Sequence, residues 1–90
     1  MLKIVYYTDP GHGWFAVKHS TLKTLGIFNL VSSYSYTKGK TAYLEEDCDA
    51  TLLFKSLHLN GVEYTTLEKH TNKRSPIRSY STFNPERITS

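Results

Sequence analysis

Glycine-containing turns cut this chain into short segments, and they constrain its fold more than any other feature. Residues 9–13 hold a proline and two glycines, residues 38–40 are Lys-Gly-Lys, and residues 60–61 are Asn-Gly. Proline fixes one backbone angle, while glycine and asparagine accept left-handed angles, so such clusters favour tight turns. A chain of 90 residues divided in this way predicts one small domain built from short strands and helices.

Apolar patterns between these turns predict five strands and two helices. Runs that are rich in β-branched and aromatic residues, or that alternate polar with aromatic residues, are typical of strands. The five runs are residues 2–7, 14–17, 32–37, 41–45 and 62–68.

The helices are predicted from leucines at helical spacing. These leucines are Leu22 and Leu25 in the first helix and Leu52, Leu53 and Leu57 in the second. Ser20 is the predicted N-cap of the first helix, and Asp47 or Asp49 that of the second, because their side chains accept hydrogen bonds from free N–H groups. Gly26 and Gly61 are predicted to end the two helices.

The resulting order, ββαββαβ, predicts an α+β fold. We expect a two-layer sandwich with a mainly antiparallel sheet of about five strands and two helices on one face. Residues 1–70 are predicted to form this single domain. Residues 71–90, called here the C-terminal segment, are polar, and Ile77, Tyr80 and Phe83 offer large apolar groups for docking. We therefore expect this segment to be partly docked or flexible.

Charge and cysteine content point to an intracellular protein. The net charge is +3, made up of +4 in residues 1–40, −4 in residues 41–50 and +3 in residues 51–90. This modest excess gives a mild attraction for polyanions. Cys48 is the only cysteine, which excludes an internal disulfide and suits a reducing compartment. The N-terminus has no signal-peptide pattern and no stretch is apolar enough to span a bilayer, so we expect a cytoplasmic protein.

The acidic block at residues 45–49 has two interpretations. Its members are Glu45, Glu46, Asp47 and Asp49. Carboxylate oxygens are the ligands that Mg²⁺ or Mn²⁺ prefers, so the block predicts a metal site if a further ligand comes from elsewhere. Acids are equally typical of a helix N-terminus, where they meet free N–H groups and the positive end of the helix dipole. The second interpretation is the favoured one.

His12 and Trp14 belong to the glycine-rich loop between the first two strands. Flanking glycines leave His12 free to act as an acid, a base or a ligand near neutral pH. The loop lacks the Gly-Lys-Ser/Thr ending of a phosphate-binding loop. The competing interpretation is a hairpin loop that Trp14 anchors in the core.

Arginines in the C-terminal segment and tyrosines near the second hairpin predict a contact surface. Arg74 and Arg78 suit phosphate recognition, because a guanidinium binds it bidentately and also stacks on bases. Tyr34, Tyr36 and Tyr43, flanked by Lys38 and Lys40, form either a stacking platform or part of the core. A solvated tail is the alternative interpretation for the arginines.

Three stretches resemble a family of small uncharacterised proteins carried by bacteriophages and related mobile elements. They are YTDPGHGW, SSYSY followed by YLEEDCDA, and SPIRSY, and the resemblance covers Lys3 to about Phe83. It implies a phage-encoded protein in the cytoplasm of an infected bacterium. Small accessory phage proteins commonly bind a host factor, often a defence system, so the resemblance implies a counter-defence role.

The sequence therefore favours a binding protein without catalytic residues, metal or cofactor. Its predicted partner is a host protein, a nucleic acid or a nucleotide, and a homodimer or higher oligomer would create a pocket between subunits. The predicted contact residues are His12, Trp14, Tyr34, Tyr36, Arg74 and Arg78. The alternative is a small metal-dependent hydrolase or nuclease. In it His12, Glu45, Glu46 and Asp47 are catalytic, and Glu45, Asp47 and Asp49 hold Mg²⁺ or Mn²⁺.

Overall fold

The computed structural model describes residues 1–88, which form a six-stranded sheet and two α-helices. The strands are β1 (Leu2–Thr8), β2 (Gly13–Lys18), β3 (Tyr36–Lys38), β4 (Thr41–Glu45), β5 (Tyr64–His70) and β6 (Ser81–Thr82). The helices are α1 (His19–Thr24) and α2 (Ala50–Leu59). The predicted α+β sandwich is confirmed, with β6 as an additional short strand. β5 begins two residues later than expected, and β3 begins at Tyr36, four residues later than expected, because residues 32–35 form a turn that Asp49 holds.

Two hairpins form the centre of the sheet, whose order is β5-β1-β2-β4-β3-β6. The glycine-rich turns at residues 9–13 and 38–40 reverse the chain, so β1 pairs antiparallel with β2 and β3 with β4. β2 and β4 join the hairpins in antiparallel register. After α2 the chain returns to the far edge, where β5 pairs with β1 in parallel.

Alternating side chains place the core on one face of the sheet. Ile4, Val17 and Leu44 point to this face, where they meet Leu22 of α1 and Leu53 of α2. All five are almost fully buried. Burying such side chains is the main favourable term in folding, at roughly 2 kcal/mol each. The helices therefore cover one face and leave the other to the C-terminal segment and solvent.

The helix ends follow the glycines, but the start of α1 differs from its prediction. Gly26 and Gly61 have positive φ angles of 75° and 63°, which suit glycine at a helix end. Ser20 is not the N-cap of α1: the cap position is Lys18, without a side-chain cap bond. β2 runs directly into the helix because the His19 N–H donates to the Lys40 carbonyl at 2.9 Å. Within residues 1–88, neither helix is long and apolar enough to cross a membrane.

The C-terminal segment packs against the sheet over residues 75–83. A short 3₁₀ helix spans Pro76–Ser79, and the Ser75 hydroxyl caps it by accepting the Ile77 N–H. Ile77 and Phe83 are almost fully buried. The Phe83 N–H also donates to the Ser35 carbonyl at 2.8 Å. Ile77 and Tyr80 thus lie beside Tyr7 and Tyr43 on the second sheet face, whereas Phe83 enters the core on the first face.

Candidate functional site

The loop between β1 and β2 is organised around the Asp9 carboxylate. Oδ1 accepts the backbone N–H groups of Gly11 and His12, each at 2.9 Å. The Asp9 N–H in turn donates to the His12 carbonyl at 2.9 Å. These bonds are local, so the sequence Asp-Pro-Gly-His-Gly itself favours this closed loop and sets the position of His12.

Asp9 also binds the C-terminal segment through Arg78. The guanidinium donates from Nε to Oδ2 at 2.7 Å and from Nη2 to Oδ1 at 2.8 Å, a bidentate pair with a fully buried carboxylate. The Ser75 N–H adds a third contact at 2.9 Å. Arg78 above all, helped by these N–H donors, holds the pKa of Asp9 far below its usual range.

The Arg78 side chain is held in place by Asp9 on one side and by Trp14 on another. Its guanidinium carbon lies 5.6 Å from the centre of the Trp14 ring, within cation–π distance. A Cβ on Gly11 would lie 2.7 Å from Arg78 Nη2, so the loop needs glycine there for the arginine to approach. Trp14 is only 2% exposed. The anchoring role of Trp14 agrees with the hairpin interpretation of the loop.

His12 lies beside two members of the acidic block. Its Nδ1 is 3.6 Å from Glu45 Oε1, and one ligand atom from each of His12, Glu45 and Asp47 lies within 4.8 Å of the others. Glu45 ends β4 and is 8% exposed, whereas His12 and Asp47 reach solvent. Glu45 Oε2 accepts the Asp47 N–H at 2.8 Å, which fixes the carboxylate. We call this group the His12–Glu45–Asp47 cluster.

The other two acids of the block are directed elsewhere. The buried Asp49 carboxylate accepts hydrogen bonds from the hydroxyls of Ser32 and Ser35 and from the Ser32 N–H. These bonds fix the position of the segment that precedes β3. It occupies the N-cap position of α2 without a side-chain cap bond. Glu46 accepts the Tyr6 hydroxyl, and burial together with this carboxylate raises the pKa of Tyr6 to about 12. The four acids therefore do not converge on one site.

The second face of the sheet is partly open and carries one lysine from each of four strands. These are Lys3 of β1, Lys18 of β2, Lys38 of β3 and Lys69 of β5, all exposed. Thr41 lies opposite both Lys18 and Lys38, so these two lysines point to the same side of the sheet. Lys3 and Tyr7 share a face of β1 by alternation, Tyr7 lies opposite Lys69, and the pairing of Val5 with Ala16 links this face to that of Lys18. Among the described strands the only acid on this face is Glu45, which is buried. We call the uncovered part, between these lysines, the open face.

A row of three tyrosines crosses the open face. Tyr7 and Tyr43 have ring centres 6.1 Å apart, and Tyr43 and Tyr80 are 5.1 Å apart. Lys38 Nζ lies 4.8 Å from the centre of the Tyr80 ring. Burial, followed by the neighbouring Tyr80 and Tyr7, raises the pKa of Tyr43.

Two concavities lie beside this tyrosine row. The larger, of about 650 Å³, lies between Lys3 and Lys18 and has Val5 and Ala16 in its floor. The smaller, of about 280 Å³, lies between Lys69 and Tyr80. Among residues 1–88 none of the side chains lining either one is acidic. The open face thus combines aromatic rings with a single sign of charge.

Four of the six predicted contact residues lie together around Trp14, and two do not. Tyr34 is 70% exposed and Arg74 is exposed, whereas Tyr36 is half-buried with its ring 6.4 Å from that of Trp14. His12 is in the His12–Glu45–Asp47 cluster, and Arg78 is paired with Asp9. The His12 ring also lies 6.1 Å from the Trp14 ring, and the Arg78 guanidinium contacts Trp14. The structure thus brings these four residues together, whereas no aromatic or cation–π contact joins Tyr34 or Arg74 to them within residues 1–88.

Sequence reasoning singled out Tyr43 and Lys38 of the open face, but it missed Lys3, Tyr7, Lys18 and Lys69. The signal was the alternation in β1, where Lys3, Val5 and Tyr7 share one face while Leu2 and Ile4 share the other. Recognising the face also required the strand order, since Lys69 comes next to Tyr7 only through the parallel pairing of β5.

Comparison of the chain with protein-family models, with curated proteins and with solved structures finds no match. The resemblance to phage-borne proteins therefore stays a prediction.

Proposed function

We propose that this protein binds single-stranded nucleic acid on the open face of its sheet. The observation that carries the proposal is the row Tyr7, Tyr43 and Tyr80, bordered by lysines from four strands on a face whose only strand acid is buried. Aromatic rings that stack on bases, inside a positive groove that follows the backbone, are the general design of such sites.

The chemistry of the open face favours single strands over duplexes. Bases in a duplex are stacked on one another, so tyrosine rings reach them only when the strand is unpaired. Tyr7 and Tyr43 line both concavities, so an extended chain lying across the strands could pass from one to the other over these rings. Lys3 and Lys18 at one end and Lys69 at the other would contact phosphates.

The setting is proposed from the resemblance alone. In that setting the protein is a bacteriophage product in the host cytoplasm, the bound nucleic acid belongs to a host factor, and the role is counter-defence. Exposed Arg74 would extend the basic surface, and an oligomer would align several open faces along one strand.

Binding of a labelled single-stranded oligonucleotide, followed by fluorescence anisotropy, tests the proposal. Lys3→Gln combined with Lys69→Gln should weaken binding and reduce the salt slope of log K by about 1.4, since each phosphate contact on a single strand adds roughly 0.7. Tyr7→Leu, which keeps an apolar side chain, should weaken binding about 5-fold or more through lost stacking.

The matched control is Lys23→Gln combined with Lys55→Gln, which removes the same charge from the helix layer. It should leave affinity close to wild type. Equal losses in the two double variants would mean that net charge alone drives binding and would overturn the proposal. Absence of binding at low salt, or equal affinity for duplex, would overturn it as well.

The metal-dependent hydrolase remains the second candidate. It is favoured by one observation, the approach of His12 to Glu45 and Asp47. The proposed catalytic residues do not line the concavities of the open face, and hydrolase activity would require a metal ion bound by them.

A further inference from the structure

We infer that His12, Glu45 and Asp47 form a binding site for one divalent transition-metal ion of the Zn²⁺ or Mn²⁺ type. The site joins the loop of the first hairpin to the end of β4. Glu45 is on the same sheet face as the tyrosine row, but it is buried, and none of the three ligands lines the two concavities of the open face. The inference therefore stands or falls independently of nucleic-acid binding.

The first observation is an unsatisfied carboxylate oxygen. Glu45 Oε1 is buried and has no hydrogen-bond partner within residues 1–88. The Glu45 side chain is nine-tenths buried and points this oxygen at His12. A buried polar atom without a partner is costly, more so when it carries charge. A bound cation removes that cost.

The second observation is the spacing of the ligand atoms. His12 Nδ1 and Glu45 Oε1 are 3.6 Å apart, too far for a hydrogen bond. Two ligands on one tetrahedral ion with bonds of about 2.1 Å lie roughly 3.4 Å apart. Asp47 supplies a third ligand atom within 4.8 Å of the other two. The remaining coordination positions face solvent, because His12 and Asp47 are exposed.

The surroundings hold the ligands in place before a metal binds. The Asp47 N–H donates to Glu45 Oε2 and leaves Oε1 free. Asp9 accepts the His12 N–H at 2.9 Å and so fixes the loop that carries the imidazole. Such outer contacts are a regular part of metal sites because they orient the ligands.

The ligand types select the class of metal. Imidazole nitrogen suits zinc and other transition ions, whereas Mg²⁺ and Ca²⁺ prefer oxygen ligands throughout. Two carboxylates with one imidazole fit Zn²⁺ or Mn²⁺. This assignment differs from the carboxylate set Glu45, Asp47 and Asp49, because Asp49 is occupied by Ser32 and Ser35.

Titration calorimetry on chelator-treated protein, with Zn²⁺ and Mn²⁺ alone as probes, tests the inference. We expect one ion per chain, a melting temperature that rises with metal concentration by mass action, and much weaker responses to Mg²⁺ and Ca²⁺. Visible absorption of the Co²⁺-loaded protein would report tetrahedral coordination. His12→Ala and Asp47→Asn, both at exposed positions, should each lower affinity at least about tenfold.

Matched controls are His58→Ala and Glu63→Gln, which remove an exposed histidine and an exposed acid elsewhere. They should leave metal affinity unchanged. Glu45→Gln should abolish binding, and its circular dichroism spectrum separates this loss from unfolding. Failure of all four ions to bind, or binding that is unchanged in His12→Ala and Asp47→Asn, would overturn the inference and leave a simple His12–Glu45 ion pair.

Discussion

Asp9 makes more contacts with distant parts of the chain than its position in a loop suggests. Its carboxylate accepts five hydrogen bonds, two from its own loop and three from Ser75 and Arg78. Removing one charge of a buried, bidentate pair leaves the other without a partner, so such residues are sensitive to small changes.

We predict that Asp9→Asn lowers the free energy of unfolding by at least about 2 kcal/mol, the typical scale of hydrogen bonds to charged groups. Urea denaturation measures this change. Glu63→Gln, at an exposed position, is the control and should lie within about 0.5 kcal/mol of wild type. A stable Asp9→Asn protein would show that the pair with Arg78 contributes little.

Residue types on their own gave a partial picture of the candidate site. The loop conformation follows from local bonds that Asp-Pro-Gly-His-Gly makes with itself, and this part was predictable. Arg78 and Asp9 are 69 positions apart, and Ser35 meets Asp49 only after the second hairpin folds. The local sequence does not indicate such distant partners. Without a known partner in the chain, Arg78 was predicted to contact a ligand.

At the scale of elements, glycines mark the ends of both helices and one hairpin turn. Gly26, Gly39 and Gly61 all have positive φ, and each was predicted at a turn or helix end. The prediction of Ser20 as the N-cap of α1 was wrong. β2 leads directly into this helix, so the cap position falls on Lys18, whose side chain makes no cap bond. The parallel pairing of β5 was not predictable from local pattern, since it depends on where α2 carries the chain.

The C-terminal segment contributes Phe83 to the core, where its ring packs against His19 and Phe28. We predict that Phe83→Ala destabilises the protein by about 3–5 kcal/mol, the usual cost of removing a buried aromatic ring. Thermal unfolding followed by circular dichroism provides the measurement.

Tyr34→Ala is the matched control, because that aromatic ring is mostly exposed. It should change stability by no more than about 0.5 kcal/mol. If Phe83→Ala were equally mild, residues 80–83 would not be an integral part of the folded domain.

For the whole molecule, the response of stability to mild acid, between neutral pH and the range where Asp9 and other carboxylates titrate, depends on His19. Its ring is buried between Phe28 and Phe83, and Nε2 lies 2.8 Å from Thr37 Oγ1. Burial, with a smaller effect of Lys23, lowers the pKa of His19 in the folded state. The unfolded chain therefore takes up this proton at a higher pH than the folded protein does.

We predict that the melting temperature is highest above the unfolded pKa of about 6.5 and falls as the pH drops towards the folded pKa. His19→Gln should remove most of this slope, whatever its effect on the melting temperature itself. Equal slopes in wild type and variant would assign the pH dependence to other groups.

Both outer strands of the sheet come from the last third of the sequence, since β5 forms one edge and β6 the other. On the ribosome, the four central strands are therefore synthesised before either edge strand. Until β5 and β6 have been added, β1 and β3 expose unpaired backbone N–H and C=O groups on both sides of the sheet, and these groups can pair with another chain.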